Sequence, residues 1–231
     1  MARFSFLDDI AATSNIVSLG WLRMRPEIGD TQQLALPSLG VRHYPSGLNS
    51  HFVKAHANFS EYIQHYRKVL AQVRLENELR ITDEVIEGNL PFELKPNAGY
   101  LPGKVKQYRR GILLTHGLSD SPYFMRHLAS FFQDQGFYVM ALLLPGHGSR
   151  PGDLLDVRWQ DWAQTVDFGV EQLSKEVDEV FLGGFSAGGA LSVYQSLRDQ
   201  RIKGLFLFAP ALSVSPKAAF ANPGPIIWAN C

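Results

Sequence analysis

The second half of the chain alternates short, fully apolar runs with stretches of helical periodicity. The apolar runs cover residues 111–115, 137–144, 179–183 and 204–208. They lack the alternation of apolar and polar residues that a sheet with one solvated face shows, as is typical of parallel strands buried on both faces. Strands and helices in this order predict an α/β fold built on a doubly wound, mostly parallel sheet.

Three helices are predicted to follow the first three of these strands. The first begins near Pro122, with Asp120 or Ser121 as its N-cap, and the others cover about 159–175 and 187–198. The spacing of apolar residues indicates which side chains of the first two helices face the sheet. These side chains are Phe124, Leu128, Phe131, Phe132, Trp162, Val166, Val170 and Leu173.

The first part of the chain has a different pattern. Residues 1–50 show no sustained period, and apolar residues at helical spacing predict an amphipathic helix over 58–79 that docks on the core. Apolar residues between 85 and 94 then predict one or two short strands around a turn at Gly88 and Asn89. We therefore divide the chain into an extension with an amphipathic helix (residues 1–84) and an α/β core (residues 85–231).

Composition narrows the functional classes. Lysine plus arginine and aspartate plus glutamate both total 22, so no net charge favours nucleic acid. The single cysteine, Cys231, excludes a disulfide framework within the chain. The first residues lack the apolar region of a secretory signal, and no run is long enough to span a bilayer. These features predict a cytoplasmic protein that does not bind nucleic acid.

The strongest motif is G-x-S-x-G at Gly184–Gly188, between an apolar strand and a helical pattern. In this context the motif is a nucleophile elbow, with Ser186 on a sharp turn and small residues where the chain folds back. Because Ser186 opens a helix, the N–H of Ala187 has no partner in that helix and is a candidate donor to an oxyanion. The alternative is a tight turn in which Ser186 is only a helix N-cap.

Two further loops follow strands of the predicted sheet, at the edge where α/β proteins bind ligands. The loop 116–118 offers the second oxyanion N–H, from Leu118, and Gly117 lets the backbone approach a substrate. We expect His116 to hold this loop by hydrogen bonding and His147 to be a turn residue between two glycines.

Three segments, residues 113–117, 144–148 and 183–189, together resemble the α/β-hydrolase superfamily over about residues 85–215. Within it they are similar to the carboxylesterase and monoacylglycerol-lipase-like (serine aminopeptidase-type) branch. The resemblance implies hydrolysis of a small-molecule acyl ester without a metal or organic cofactor. It also implies that Ser186 is the nucleophile, that Leu118 and Ala187 donate to the oxyanion, and that Gly184 and Gly188 support the elbow.

The chain departs from the superfamily after the elbow. An acid and then a histidine should follow the serine, but no histidine follows Ser186, and the sole later acidic residue, Asp199, lies at a helix end. We therefore expect an amino-terminal portion that lacks the last strands, hydrolyses esters poorly and self-associates through the apolar edge 204–208. The alternatives are a non-catalytic binding protein and a peptidase of the same fold.

Overall fold

The computed structural model of the protein describes residues 40–52, 56–76, 82–96 and 106–213. The predictions for residues 1–39 and for the helix end at 77–79 lie outside these ranges. The helices are α1 (Phe59–Glu76), α2 (Asp83–Asn89), α3 (Arg126–Asp134), α4 (Trp159–Glu176) and α5 (Ala187–Ser196). The strands are β1 (Phe92–Leu94), β2 (Tyr108–Thr115), β3 (Phe137–Leu142), β4 (Val177–Phe185) and β5 (Ile202–Phe208). Short 3₁₀ helices lie at Val41–His43, Pro122–Met125 and Pro151–Leu155.

These strands form one sheet in the order β1-β3-β2-β4-β5. β1 runs antiparallel to β3, and the other neighbouring pairs are parallel. The predicted mostly parallel sheet is thereby confirmed. β2 lies at its centre, so the loop that follows Thr115 opens between the ends of β3 and β4.

Both faces of the sheet are covered, as a doubly wound fold requires. Successive side chains of β2 point to opposite faces: Leu113 belongs to one hydrophobic cluster, and Ile112 and Leu114 belong to another. The first cluster contains side chains of α1, α4 and α5, and the second contains side chains of α3. The four residues of α4 predicted to face inward are all buried: Trp162, Val166, Val170 and Leu173.

The helix α1 packs into the first of these two clusters. Tyr62, Tyr66 and Leu70 are buried there together with Phe168 of α4. The amphipathic pattern therefore buries one face against the sheet layer, as predicted. The division of the chain at residue 84 stays a prediction.

The strand predicted around Val85 and Ile86 is wrong, because these residues lie in α2. The hydroxyl of Thr82 accepts a hydrogen bond from the N–H of Val85, and Asp83 and Glu84 occupy the first turn. A capped N-terminus with acidic residues favours a helix and here outweighs the strand preference of two β-branched residues. The later part of the prediction is confirmed by β1.

Phe124 and Phe131 were predicted to face the core, and this is wrong: they are 62% and 57% exposed. The segment from Pro122 is a 3₁₀ helix capped by Ser121, one of the two predicted N-caps, and α3 begins only at Arg126. A 3₁₀ helix has about three residues per turn, so it shifts the phase of the buried stripe. The buried positions are instead Met125, Ala129 and Phe132.

β5 pairs with β4, and within the described ranges no strand pairs with its other side. Leu207 and Phe208 on this strand are both 36% exposed. An unpaired strand edge can pair with another chain, so self-association stays a prediction. We expect sedimentation velocity to show a sedimentation coefficient that rises with protein concentration, and a monomer at all concentrations would contradict it.

None of the helices in the described ranges has the length and apolar character of a membrane span.

Candidate active site

Ser186 is the single residue that links β4 to α5, and its backbone angles are φ 51° and ψ −115°. A positive φ at a residue other than glycine costs of order 1–3 kcal/mol and persists only where the surroundings enforce it. The side chain of Ser186 makes no capping hydrogen bond to the helix, so the interpretation of this serine as a simple N-cap is not supported. The chain turns sharply here, as the motif predicts.

Four backbone hydrogen bonds hold this turn in place. The N–H of Ser186 donates to the carbonyl of Phe208 at the end of β5, at 3.0 Å. The carbonyl of Ser186 accepts from the N–H groups of Gly189 (3.0 Å), Ala190 (3.2 Å) and Ala211 (3.0 Å). The strained residue is therefore fixed both by its own helix and by the chain that follows β5.

Gly184 and Gly188 allow the helix to approach the sheet. A Cβ atom at Gly184 would lie 2.2 Å from the carbonyl oxygen of Gly188. One at Gly188 would lie 2.2 Å from the carbonyl oxygen of Thr115 and 2.6 Å from that of His116. All of these atoms belong to the backbone, so only glycine fits at either position without movement of the chain.

The loop after β2 lies directly beside the serine. A Cβ atom at Gly117 would be 3.4 Å from the Cβ of Ser186 and 3.0 Å from Cδ1 of Phe185. Among the described residues, no hydrogen-bond acceptor is paired with the N–H of Leu118 or of Ala187. The structure thus brings together the serine and the loop 116–118 that the sequence singled out.

Residues 106–230, more than half of the chain, match the family described as "Serine aminopeptidase, S33". The chain belongs to this family. A thermostable monoacylglycerol lipase of Bacillus sp. (strain H-257) is 31% identical over 114 residues, which are 49% of this chain and 46% of that protein. A carboxylesterase of Bacillus subtilis (strain 168) is 29% identical over 85 residues, or 36% of this chain and 35% of the relative.

This S33 family chain thus spans less than half the length of each of these two relatives. It is also similar to a solved structure described as "LipS and LipT, two metagenome-derived lipolytic enzymes increase the diversity of known lipase and esterase families". The identity is 30% and the TM-score 0.49, with 58% of this chain and 52% of the other covered.

In this member of the S33 family, His116 is fully buried, and its two ring nitrogens contact backbone groups. Nε2 accepts a hydrogen bond from the N–H of Leu144 at 3.1 Å, and Nδ1 lies 2.8 Å from the carbonyl oxygen of Gly117. Since an N–H group can only donate, Nε2 carries the lone pair, and Nδ1 of the neutral ring carries the proton. Burial, reinforced by His147, holds the pKa of His116 well below its ordinary value.

His147 packs against His116, with the ring centroids 4.7 Å apart. Its Nε2 lies 2.7 Å from the carbonyl oxygen of Leu118, and its Nδ1 lies 3.0 Å from that of Pro145. Burial lowers the pKa of His147 as well. The neutral ring of His147 has one N–H and donates it to one of these two carbonyl groups. Among the described residues, neither histidine hydrogen-bonds Ser186.

Asp199 lies beyond the end of α5, away from the elbow. It forms an ion pair with Arg201, with 2.6 Å between the guanidinium nitrogen and the carboxylate oxygen. The hydrogen bond from Arg201 lowers the pKa of this carboxyl group. Asp199 is therefore a partly buried residue of an ion pair in the S33 family chain, and the structure does not bring it to the site.

Sequence reasoning missed Asn49, which holds the loop that carries His147. The carbonyl of Asn49 accepts from the N–H of Gly146 at 2.7 Å, and its Nδ2 donates to the carbonyl of His147 at 2.9 Å and to Oγ of Ser149 at 3.0 Å. Nearly a hundred residues separate these partners, so no local pattern could have revealed the contact. Asn49 supports the candidate site from the segment that the sequence left without an interpretation.

The buried histidines predict acid sensitivity. Below pH 6.5, the ordinary pKa of histidine, unfolded His116 binds a proton that the folded protein does not bind, because its folded pKa is lowered. The free energy of unfolding should therefore fall as the pH drops below this value, by up to about 1.4 kcal/mol per pH unit for this residue. Above pH 6.5, His116 contributes no pH dependence.

Urea unfolding at pH 7.5 and 5.5 measures this effect. His116→Gln should lose the part of the acid sensitivity that belongs to His116, whereas His127→Gln, at an exposed position, should behave as the unsubstituted chain. Equal pH dependence of the unsubstituted chain and His116→Gln would contradict the prediction.

Proposed function

We propose that this chain provides the nucleophile and the oxyanion hole of a serine hydrolase that acts on carboxylic esters of small molecules, without a metal or organic cofactor. The observation that carries the proposal is the position of Ser186, at φ 51° between β4 and α5, with the Gly117 backbone beside its Cβ. A serine held in this way projects its hydroxyl at the ligand-binding edge of the sheet.

The proposed chemistry is acyl transfer. The Ser186 oxygen forms a bond to the ester carbonyl carbon, its proton passes to a general base, and the carbonyl oxygen becomes an oxyanion. The N–H groups of Leu118 and Ala187 donate to that oxyanion. Its collapse releases the alcohol, and water then cleaves the acyl-serine bond to give the acid and free serine.

The general base is not one of the histidines described above. All seven histidines lie in the described ranges, and none of them hydrogen-bonds Ser186. An unassisted hydroxyl is a weak nucleophile, and loss of a triad member costs on the order of a million-fold in turnover. We therefore propose that the 231-residue chain turns over esters slowly while its serine keeps selective reactivity.

The substrate class rests on the names of the relatives. A monoacylglycerol lipase and a carboxylesterase favour an ester, whereas the family description, a serine aminopeptidase, favours the amide of a peptide as the second candidate. Both reactions use the same elbow and oxyanion donors. The part of the initial rate that is lost in Ser186→Ala, measured on p-nitrophenyl acyl esters and on aminoacyl p-nitroanilides, separates the two, and we expect a Ser186-dependent rate with the esters and none with the anilides.

A fluorophosphonate probe tests the role of Ser186 directly. It phosphonylates nucleophilic serines, and because no described histidine assists Ser186 we expect a slow reaction that is promoted by the oxyanion donors and needs a high probe concentration. Mass spectrometry of the digested chain locates the adduct. We expect the adduct on Ser186 and none in Ser186→Ala. Ser196→Ala, at the last residue of α5, is the matched control and should react as the unsubstituted chain does.

An adduct on another residue, or labelling that survives Ser186→Ala, would contradict the proposed function. Absence of any adduct would favour the alternative hypothesis, a non-catalytic binding protein of the same fold.

A further inference from the structure

A line of hydrogen bonds connects α1 with the loop after β2. The hydroxyl of Tyr62 donates to the carbonyl of Leu143 at 2.6 Å. The N–H of the same peptide unit, on Leu144, donates to Nε2 of His116 at 3.1 Å. Nδ1 of His116 then donates to the carbonyl of Gly117 at 2.8 Å, and the N–H of that last peptide unit belongs to Leu118.

All members of this line donate in the same direction. In a trans peptide the N–H points opposite to the C=O, so each unit accepts on one side and donates on the other. The carbonyl of Gly117 is held by Nδ1 of His116 and also by the N–H of Asp120, at 3.2 Å. With its carbonyl fixed, the peptide turns the N–H of Leu118 away from these donors.

We propose that Tyr62 and His116 are positioning residues for the oxyanion hole: they orient and polarise the Leu118 N–H through two peptide units. This inference rests on the proposed function, in which that N–H stabilises the oxyanion. Tyr62 lies in a helix outside the residues that match the S33 family, so the extension takes part in the chemistry of the site.

Hydrogen bonds in such a line strengthen one another, because each donor that is polarised by its neighbour becomes a better donor. Tyr62 and His116 are fully buried, where the low dielectric increases this effect. Burial raises the pKa of Tyr62 and lowers that of His116. Both groups therefore stay neutral around pH 7, and the line keeps one direction.

Tyr62→Phe removes one hydroxyl and keeps the ring. The matched control is Tyr138→Phe: Tyr138 is also buried, but its hydroxyl hydrogen-bonds Glu93 of the edge strand β1. In chain labelled with [¹⁵N]leucine, the signal of Leu118 is assigned by its loss in Leu118→Met. We expect its amide proton to move upfield in Tyr62→Phe and to stay in place in Tyr138→Phe.

The rate of phosphonylation of Ser186 gives a second readout, and unfolding curves correct it for the folded fraction. We expect Tyr62→Phe to slow the reaction by about three- to ten-fold, a part of the effect of losing an oxyanion donor. His116→Asn retains a donor group but is too short to accept from Leu144. In that background Tyr62→Phe should have no further effect, because the line is already broken.

A Leu118 amide shift that is the same in Tyr62→Phe and Tyr138→Phe would overturn the inference, as would independent, multiplicative effects of Tyr62→Phe and His116→Asn on the rate. Should Tyr62→Phe not fold, the Leu118 shift in His116→Asn decides in the same way. The amide shift needs no reaction at Ser186. An unreactive serine with the expected shift would thus count against the proposed function and leave the positioning intact.

Discussion

Gly188→Ala is expected to destabilise the protein by about 3 kcal/mol or more, as overpacking against a fixed backbone does. Alanine in a helix normally stabilises by about 1 kcal/mol relative to glycine. Here the new methyl group would lie 2.2 Å and 2.6 Å from two carbonyl oxygens at the end of β2. Neither oxygen can turn aside as a side chain would, so the helix start must move away from the sheet.

Guanidinium unfolding measures this loss. Gly40→Ala is the control, because its methyl group would meet only Nδ1 of His43, at 4.0 Å, and its stability should stay within about 0.5 kcal/mol of the unsubstituted chain. The displacement in Gly188→Ala should also abolish phosphonylation of Ser186 in the fraction that remains folded. If Gly188→Ala were as stable as Gly40→Ala, the start of α5 would not be in close contact with the end of β2.

Ser186→Gly should abolish the reaction with fluorophosphonate and at the same time stabilise the fold by about 1 kcal/mol. Glycine adopts a positive φ at no steric cost, so it relieves the strain at φ 51°. The greater backbone entropy of glycine in the unfolded chain offsets part of that gain. The sign of the stability change is therefore the informative result.

Ser186→Ala provides the matched comparison, because it removes the same hydroxyl and keeps the strained Cβ. Calorimetry of the two variants should show a higher midpoint temperature for Ser186→Gly. If Ser186→Ala were the more stable variant, the backbone at this residue would not be strained, and the elbow would lose its physical basis.

The sequence predicted the parts of the fold that local patterns determine. The strands β2 to β5 and the helices α4 and α5 follow from apolar runs and helical periods, and the G-x-S-x-G spacing predicted the turn at Ser186. The errors arose where two local signals competed. Val85 and Ile86 favour a strand, but the cap at Thr82 decided for a helix, and the 3₁₀ turn after Pro122 shifted the buried face of α3.

Contacts between distant residues could not be predicted in this way. The apolar run that includes Leu143 and Leu144 predicts a strand to residue 144, but β3 ends at Leu142. The peptide group between Leu143 and Leu144 is instead bonded by the side chains of Tyr62 and His116. These partners come from α1 and from the loop after β2, and no periodicity in the sequence predicts that they contact the same peptide group.

The hydrogen bonds that join Ser186 to Phe208 and Ala211 have a consequence for protein engineering. Because they connect main chain to main chain, they depend on the length of the turn after β5 and on its backbone: Ala209 has φ 45°, which favours glycine or asparagine over β-branched residues, and residue 211 must keep its N–H. Loop grafts that keep the spacing from residue 208 to residue 211 should preserve the orientation of Ser186. A one-residue insertion there should change the backbone orientation of Ser186.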